Sequence, residues 1–248
     1  MPGSLFVIIG LCAIAYGGLR LRPAYHVYRG DTDDVLSVER ADGPVELEGT
    51  ATPITSPSEG PLTGKPCLVY EYEVEELQSS GKNSSWNTVD EGAGGVPFRL
   101  EDETASIRVN PSAGEFALST VDRIDVDGGE AEPDHVREFL EHHSDLESEN
   151  TSLDLRVVEI ATGNDRRYSE RRLEPGGDVY VLGQSRYDVE ARETMRDVSA
   201  VIEDGPETPV FVIGDSCQDG AARMLAKPAA IWLVGGLLAV VLGLALLL

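Results

Sequence analysis

The stretch RRYSERRLEPGGDVYVLG, Arg166 to Gly183, sets four arginines within seven residues, turns through Glu-Pro-Gly-Gly and enters an apolar run. Proline and glycine at such a point end one extended segment and start another. If the two segments pair as strands around the glycines, Tyr168, Glu170 and Arg172 share one face, and Arg167, Ser169 and Arg171 the other. An arginine row beside glutamate-rich strands finds cross-strand carboxylates, and Glu71, Glu73 and Glu75 are the expected partners. The competing reading takes Arg166, Arg167, Arg171 and Arg172 as a binding row for anionic lipid headgroups or a partner, provided the row lies beside a membrane.

The chain ends decide whether a membrane is near. Leu5–Leu19 and Ala229–Leu248 carry no charge. At ~1.5 Å per residue the second run reaches about 30 Å, the thickness of a hydrocarbon core. The first reaches roughly 28 Å once the four residues before it are included. It lacks the basic start and small-residue cleavage site of a signal peptide, so the expectation is a retained anchor. The expected organisation is a transmembrane helix over residues 1–20, one domain over 30–225 and a second transmembrane helix over 229–248.

Basic residues flank both anchors on the domain side: Arg20, Arg22 and Arg29 after the first, Arg223 and Lys227 before the second. The positive-inside rule then expects a two-pass cell-membrane protein with a cytoplasmic domain. Gly235, Ala239 and Gly243 repeat four apart in the second anchor, and Ala13 and Gly17 do so in the first. Small residues at this spacing let helices approach closely in lipid. The anchors are therefore expected to pack together, or to form a homo-oligomer through these stripes.

Forty-four acidic residues stand against 20 basic ones, a formal net charge of −24. Lys65, Lys82 and Lys227 are the only lysines. Such a surface repels itself at low salt and is screened within ~3 Å in concentrated salt, which reads as the salt adaptation of a haloarchaeal type of protein. It argues against nucleic-acid binding, which needs a basic face. The three cysteines Cys12, Cys67 and Cys217 form no C-x-x-C, so no zinc ribbon or RING spacing is present. A Cys67–Cys217 disulfide stays open.

Strand signals dominate the middle. PCLVYEYEVEEL alternates Leu68, Tyr70, Tyr72 and Val74 against Glu71, Glu73 and Glu75. GPVELEGTATPI precedes it, VPFRLEDETASIRVNP turns at EDET, and LDLRVVEIATG and PVFVIGDS continue the pattern. Short spacing between punctuating residues predicts a mainly β domain, an antiparallel sheet or barrel within a β-rich α+β class. PDHVREFLEHH predicts a helix burying Val136, Phe139 and Leu140, and DTDDVLSVERA a short one. DSCQDGAARMLAKPAAIW is expected to run helically into the second anchor. Val121–Asp134 and HHSDLESENTS read as solvated loops.

Sites for chemistry are few. IDVDGGE puts Arg123 where a calcium loop needs its first aspartate. His135 and His142 find no third metal ligand. GPLTGKP is one residue short of a phosphate loop and has proline where Ser or Thr would hold magnesium. No serine nucleophile elbow occurs. The expectation is therefore no catalytic residue, no metal and no cofactor.

Taken in order, the pieces resemble the GIDE, or beside-a-membrane, domain of mitochondrial and chloroplast E3 ubiquitin ligases and of prokaryotic membrane proteins. The resemblance rests on Pro61-Leu62-Thr63-Gly64 with Pro66-Cys67, on Pro97-Phe98 with Glu101-Asp102, and on Leu173-Glu174-Pro175-Gly176 with Gly183. It implies a membrane-anchored interaction or scaffold domain whose partners are membrane lipids or membrane and soluble proteins. In the ligases a RING finger recruits the conjugating enzyme, and its zinc-ligand cysteines are not found here, so ubiquitin-ligase activity is the rival expectation. The ligase domain faces the intermembrane space, which conflicts with a cytoplasmic placement.

Overall fold

Leu173 ends one strand and Asp178 begins the next, but the two strands lie in different sheets. The computed structural model describes residues 2–30, 32–39, 43–80, 83–119, 121–142, 151–154, 159–208 and 210–247. An apolar helix α1 (Pro2–Arg20) continues into α2 (Arg22–Arg29) and is followed by a single-turn α3 (Val35–Val38). Strand β1 (Gly43–Pro53) precedes the two-residue strands β2 (Ser58–Glu59) and β3 (Pro66–Cys67). The long strands β4 (Val69–Ser80) and β5 (Asn83–Gly95) come next, then β6 (Phe98–Glu101), β7 (Ser106–Val109), β8 (Glu115–Ala117) and β9 (Val121–Val126). After α4 (Asp134–His142) come the pair β10 (Thr151–Asp154) and β11 (Glu159–Thr162), β12 (Arg166–Leu173), β13 (Asp178–Tyr187), β14 (Asp197–Glu203) and β15 (Val212–Gly214). A single helix, α5 (Gln218–Ala245), closes the chain.

Strands β1, β6, β7, β14 and β13 are neighbours in that order, and β1 also pairs with β13, which closes a five-stranded barrel. β15 and β8 extend it from β13. The pairings β7–β14 and β8–β15 are parallel; the others are antiparallel. The barrel fills with one face of each strand: Leu47, Phe98, Leu100, Ile107, Val181 and Ile202 are all fully buried. At ~1.5–3 kcal/mol for each such side chain removed from water, this cluster is the main apolar store of the domain.

The run VYVLG is apolar on both faces because both are covered. Val179 and Val181 point into the barrel, while Tyr180 and Leu182 pack outward against Val27, Ala221 and Ala222 of α2 and α5. A strand covered on both sides loses polar alternation.

The second sheet has the order β5-β4-β12-β9 and is wholly antiparallel. Helix α4 packs on it through Val136, Phe139 and Leu140, which meet Leu62, Val74 and Tyr168. The expected hairpin around the glycines is thus corrected. Gly176 adopts φ +83°, which glycine tolerates and other residues rarely do. Its N–H donates to the Ala51 carbonyl, and the Gly177 carbonyl accepts from Ala51 N–H, so the turn is stitched to β1 and redirects the chain into the barrel.

The reading of Val121–Asp134 as a loop is also corrected over its first six residues. They form edge strand β9, whose polar side chains Asp122 and Asp125 pair with arginines of β12. Residues 143–150, most of the second expected loop, and residues 155–158 of the LDLRVVEIATG segment lie outside the described residues.

Helices α1 and α5 are each long and apolar enough to cross a membrane. They run antiparallel against one another, so the packing expected of the anchors is present, but along a different seam. Gly3, Gly10 and Gly17 face Gly243, Gly236 and Ala229. A Cβ on Gly10 would stand 2.6 Å from the Gly236 carbonyl oxygen, and one on Gly236 2.7 Å from that of Gly10. Both helices therefore present small residues seven apart, whereas a Cβ on Gly235 would meet nothing within 4 Å.

Helix α5 has 28 residues, about 42 Å at ~1.5 Å each. That exceeds a ~30 Å hydrocarbon core by about two turns. The excess enters the domain, where Ala221 and Ala222 are buried against the barrel. Gln218 locks the joint: its amide nitrogen donates to the carbonyls of Val27 and Gly30, each at 2.7 Å, and its backbone N–H donates to Glu48 at 2.6 Å. Tyr180 donates to Glu46 beside it at 2.9 Å; burial, then the Glu46 carboxylate, pushes the phenol pKa well up.

Candidate functional site

Strand β12 lies between β4 and β9 in the four-stranded sheet, so each of Arg166–Arg171 has a neighbour on both strands. Arg166 faces Glu76, Arg167 faces Glu75 and Asp125, and Arg171 faces Glu71 and Val121. Alternation follows the sequence expectation: Arg166, Tyr168, Glu170 and Arg172 are buried, and Arg167 and Arg171 are half-buried. Ser169 is buried as well.

Three of the four arginines are committed inside the domain. Arg166 pairs with Glu76 at 3.1 Å. Arg167 pairs with Asp125 at 2.8 Å and Glu75 at 3.7 Å, and its guanidinium lies 4.1 Å from the Trp86 ring centroid. Arg172 pairs with Asp122, with Glu174 at 2.9 Å and with Glu170 at 3.7 Å. Of the expected carboxylates, Glu75 forms such a pair and Glu71 stands opposite Arg171; Glu73 instead accepts from the Thr88 hydroxyl at 2.9 Å. Hydrogen bonds from Lys65 and then Arg172 hold the Asp122 pKa below its usual value.

The buried end of this network explains the Pro61-Leu62-Thr63-Gly64 motif. Glu170 is fully buried and accepts from Leu62 N–H at 2.8 Å, Thr63 N–H at 3.2 Å and the Thr63 hydroxyl at 2.5 Å. The segment that superficially resembled a phosphate loop turns its donors on a carboxylate of its own chain. Sequence reasoning missed this role for Glu170. The only signal was an acid on the apolar-facing side of an alternating strand.

Cys67 lies at the base of this loop, fully buried, and burial pushes its thiol to about 11. A thiol so protonated is a poor nucleophile and metal ligand. Cys67 is free, as are Cys12 and Cys217, which settles the open question of a disulfide. Among the described residues, no group of three or more His, Cys, Asp or Glu is placed to hold a metal ion. An acidic cleft of about 670 Å³ includes Glu48, Glu101, Asp102 and Asp178. Asp102 is occupied by the turn between β6 and β7: burial opposes its charge, but bonds from Val35, Ala105 and Thr104 win and lower its pKa.

The fourth arginine lies elsewhere. Arg171 lines a groove of about 930 Å³ between the four-stranded sheet and the helix hairpin, shared with Arg20, Lys227, Phe116, Leu118 and Leu225. Glu71 and Glu115 also line it. The Glu71 carboxyl is raised, by burial first and against the pull of Arg171. Arg20 and Lys227 signalled topology in the sequence, and only the folded chain brings them to Arg171.

A family model described as GIDE: E3 Ubiquitin ligase matches residues 69–247. Neither a curated protein nor a solved structure matches the chain.

Proposed function

The chain belongs to the GIDE family, and from that premise we propose that it is a membrane-tethered interaction module which holds a β-barrel domain at fixed height and orientation for partner proteins or lipid headgroups. The observation that carries this reading is the joint between anchor and domain. Helix α5 runs unbroken from its apolar span into the barrel wall, and α1 is packed along it through glycines on both sides. The Gln218 bonds and the Tyr180–Glu46 bond stiffen the junction. A domain held this way meets its neighbours at high effective concentration.

The basic residues Arg20, Arg22, Arg223 and Lys227 at the domain end of the hairpin support a cytoplasmic placement. Proximity labelling in the native membrane, with the intact chain as bait, is expected to give a reproducible set of membrane-proximal proteins. A pattern indistinguishable from that of an unrelated two-anchor chain would overturn the proposal.

The description of the matching family favours a second reading, an E3-type role in a ubiquitin-like system with the RING supplied by another chain. Purified full chain, incubated with a ubiquitin-like modifier and its activating and conjugating enzymes, would then accelerate substrate modification. Unchanged modification with and without the chain would exclude it.

A further inference from the structure

The groove at the root of the helix hairpin has a chemistry unlike the rest of this acidic surface. One cross-strand row lies on its sheet side: Ala93, Glu71, Arg171 and Val121, taken from β5, β4, β12 and β9 in turn. Its other wall comes from the domain ends of α1 and α5 and from β8. We propose that this groove binds the phosphodiester headgroup of an anionic membrane phospholipid, with Arg20, Arg171 and Lys227 as its cationic contacts. The proposal rests on the reading of the chain as membrane-tethered and adds the class of ligand.

Charge is the first argument. The chain has 20 basic residues against 44 acids, yet three bases converge here against two acids, Glu71 and Glu115. Arg166, Arg167 and Arg172 are consumed by carboxylates of the domain. Among the described residues, Arg171 and Lys227 form no ion pair, and Arg20 donates only to the Tyr16 hydroxyl at 3.1 Å. A surface of net charge −24 repels anions in general, so attraction at this groove is a local property.

Depth is the second. Arg20 ends α1, and Lys227 stands two residues before the apolar run from Ala229. Tyr16 and Trp232 stack edge to face at 5.2 Å one turn inside them, where aromatic residues mark a membrane–water interface. Phospholipid phosphates lie at that level. The third argument is size and polarity. About 930 Å³ falls in the range of small-molecule pockets. Phe116, Met224 and Leu225 offer an apolar side that a soluble phosphate would leave unused and that a glycerol backbone with its first acyl carbons would cover.

The test uses the full chain in mild detergent micelles doped with dioleoyl phosphatidylglycerol or dioleoyl phosphatidylcholine, with retained lipid counted by native mass spectrometry. Phosphatidylglycerol should be retained preferentially. At ~1 kcal/mol per basic residue near an anionic lipid surface, Arg171→Gln and Lys227→Gln should each lower retention about fivefold and the pair about thirtyfold. Arg171→Lys keeps the charge and should keep the preference. Arg223→Gln is the control, because Arg223 is on the same helix but outside the groove. Excess glycerol 3-phosphate should not compete; if it does, the site takes free anions and the lipid assignment falls. Equal retention of the two lipids, or an unchanged preference in R171Q/K227Q, overturns the proposal. Carbonate extraction of the wild-type membrane is measured alongside. A chain that stays in the membrane without lipid preference refutes the groove alone, whereas release into the aqueous fraction refutes the tethered reading itself.

Discussion

Replacing Glu170 with alanine tests the account of the buried loop. The wild-type carboxylate accepts from two backbone amides and one hydroxyl and lies 3.7 Å from Arg172. Burying a carboxylate is costly, and a buried charge exchanged for an apolar group of similar size can be neutral. That escape is closed here, because the amides of Leu62 and Thr63 belong to the backbone and no side-chain replacement removes them. Leu62 is 1% exposed, so its orphaned N–H finds little water. At ~1–3 kcal/mol for an unsatisfied buried donor, and with Arg172 keeping Asp122 and Glu174, the expected loss is about 3–5 kcal/mol. For a domain of this size that is a fall in Tm of roughly 6–20 °C. Glu170→Gln keeps one accepting oxygen and should lose about 1–2 kcal/mol. Glu170→Met should be no better than alanine. The assay is thermal unfolding of the full chain in detergent, followed by tryptophan fluorescence, with limited proteolysis at the loop of Gly60–Lys65. A Tm within about 2 °C of wild type for Glu170→Ala would refute the reasoning, as would recovery by methionine.

Three further outcomes follow from the same structure. Gly236→Leu should pry the anchors apart, at about 1–3 kcal/mol for overpacking, read as lost cross-linking between cysteines placed at the two ends of the seam; Gly235→Leu should be silent, and equal damage from both would place the seam elsewhere. Cys67 should resist maleimide at pH 8 while Cys217, which is exposed, reacts. Its folded value of about 11 lies above the unfolded 9.0, so its contribution is complete below pH 9 and is lost as pH rises toward 11, roughly 2–3 kcal/mol in all; unfolding stability that stays flat across that window would contradict it. Finally, with a formal net charge of −24, Tm should climb between ~0.1 and ~2 M KCl as self-repulsion is screened, and a flat or falling Tm would contradict the reading of the acidity.

The sequence was most legible where a pattern is local. β4 and β12 alternate, α4 carries its apolar stripe, and the turn at EDET separates β6 from β7, so each could be read from a few neighbouring residues. What escaped depends on distant partners. The Glu-Pro-Gly-Gly turn suits a hairpin equally well; only its bonds to Ala51, more than 120 residues away, send β13 into the barrel. Strands β5 and β9 are polar and glycine-rich or charged, and they hold by ladder bonds and arginine pairing, neither of which leaves an apolar period. The seam between the anchors follows a spacing of seven in Gly3-Gly10-Gly17 and Ala229-Gly236-Gly243, but the sequence also carries a stripe of small residues four apart, and only the partner helix tells which of the two is used. The arginine row divided for the same reason. Side-chain alternation told which arginines share a face, and only the neighbouring strands and helices told which of them still faces outward.

Pro228 stands inside α5 just before its apolar run, where its ring removes one helical N–H donor from the ladder. Below it lies the apolar run from Ala229, packed along α1 through Ala229, Gly236 and Gly243. Above it the same rod is embedded in the barrel wall. The missing donor falls between two stretches that packing already holds, the glycine seam to α1 on one side and the Gln218 and barrel contacts on the other, so the helix passes the proline without a break.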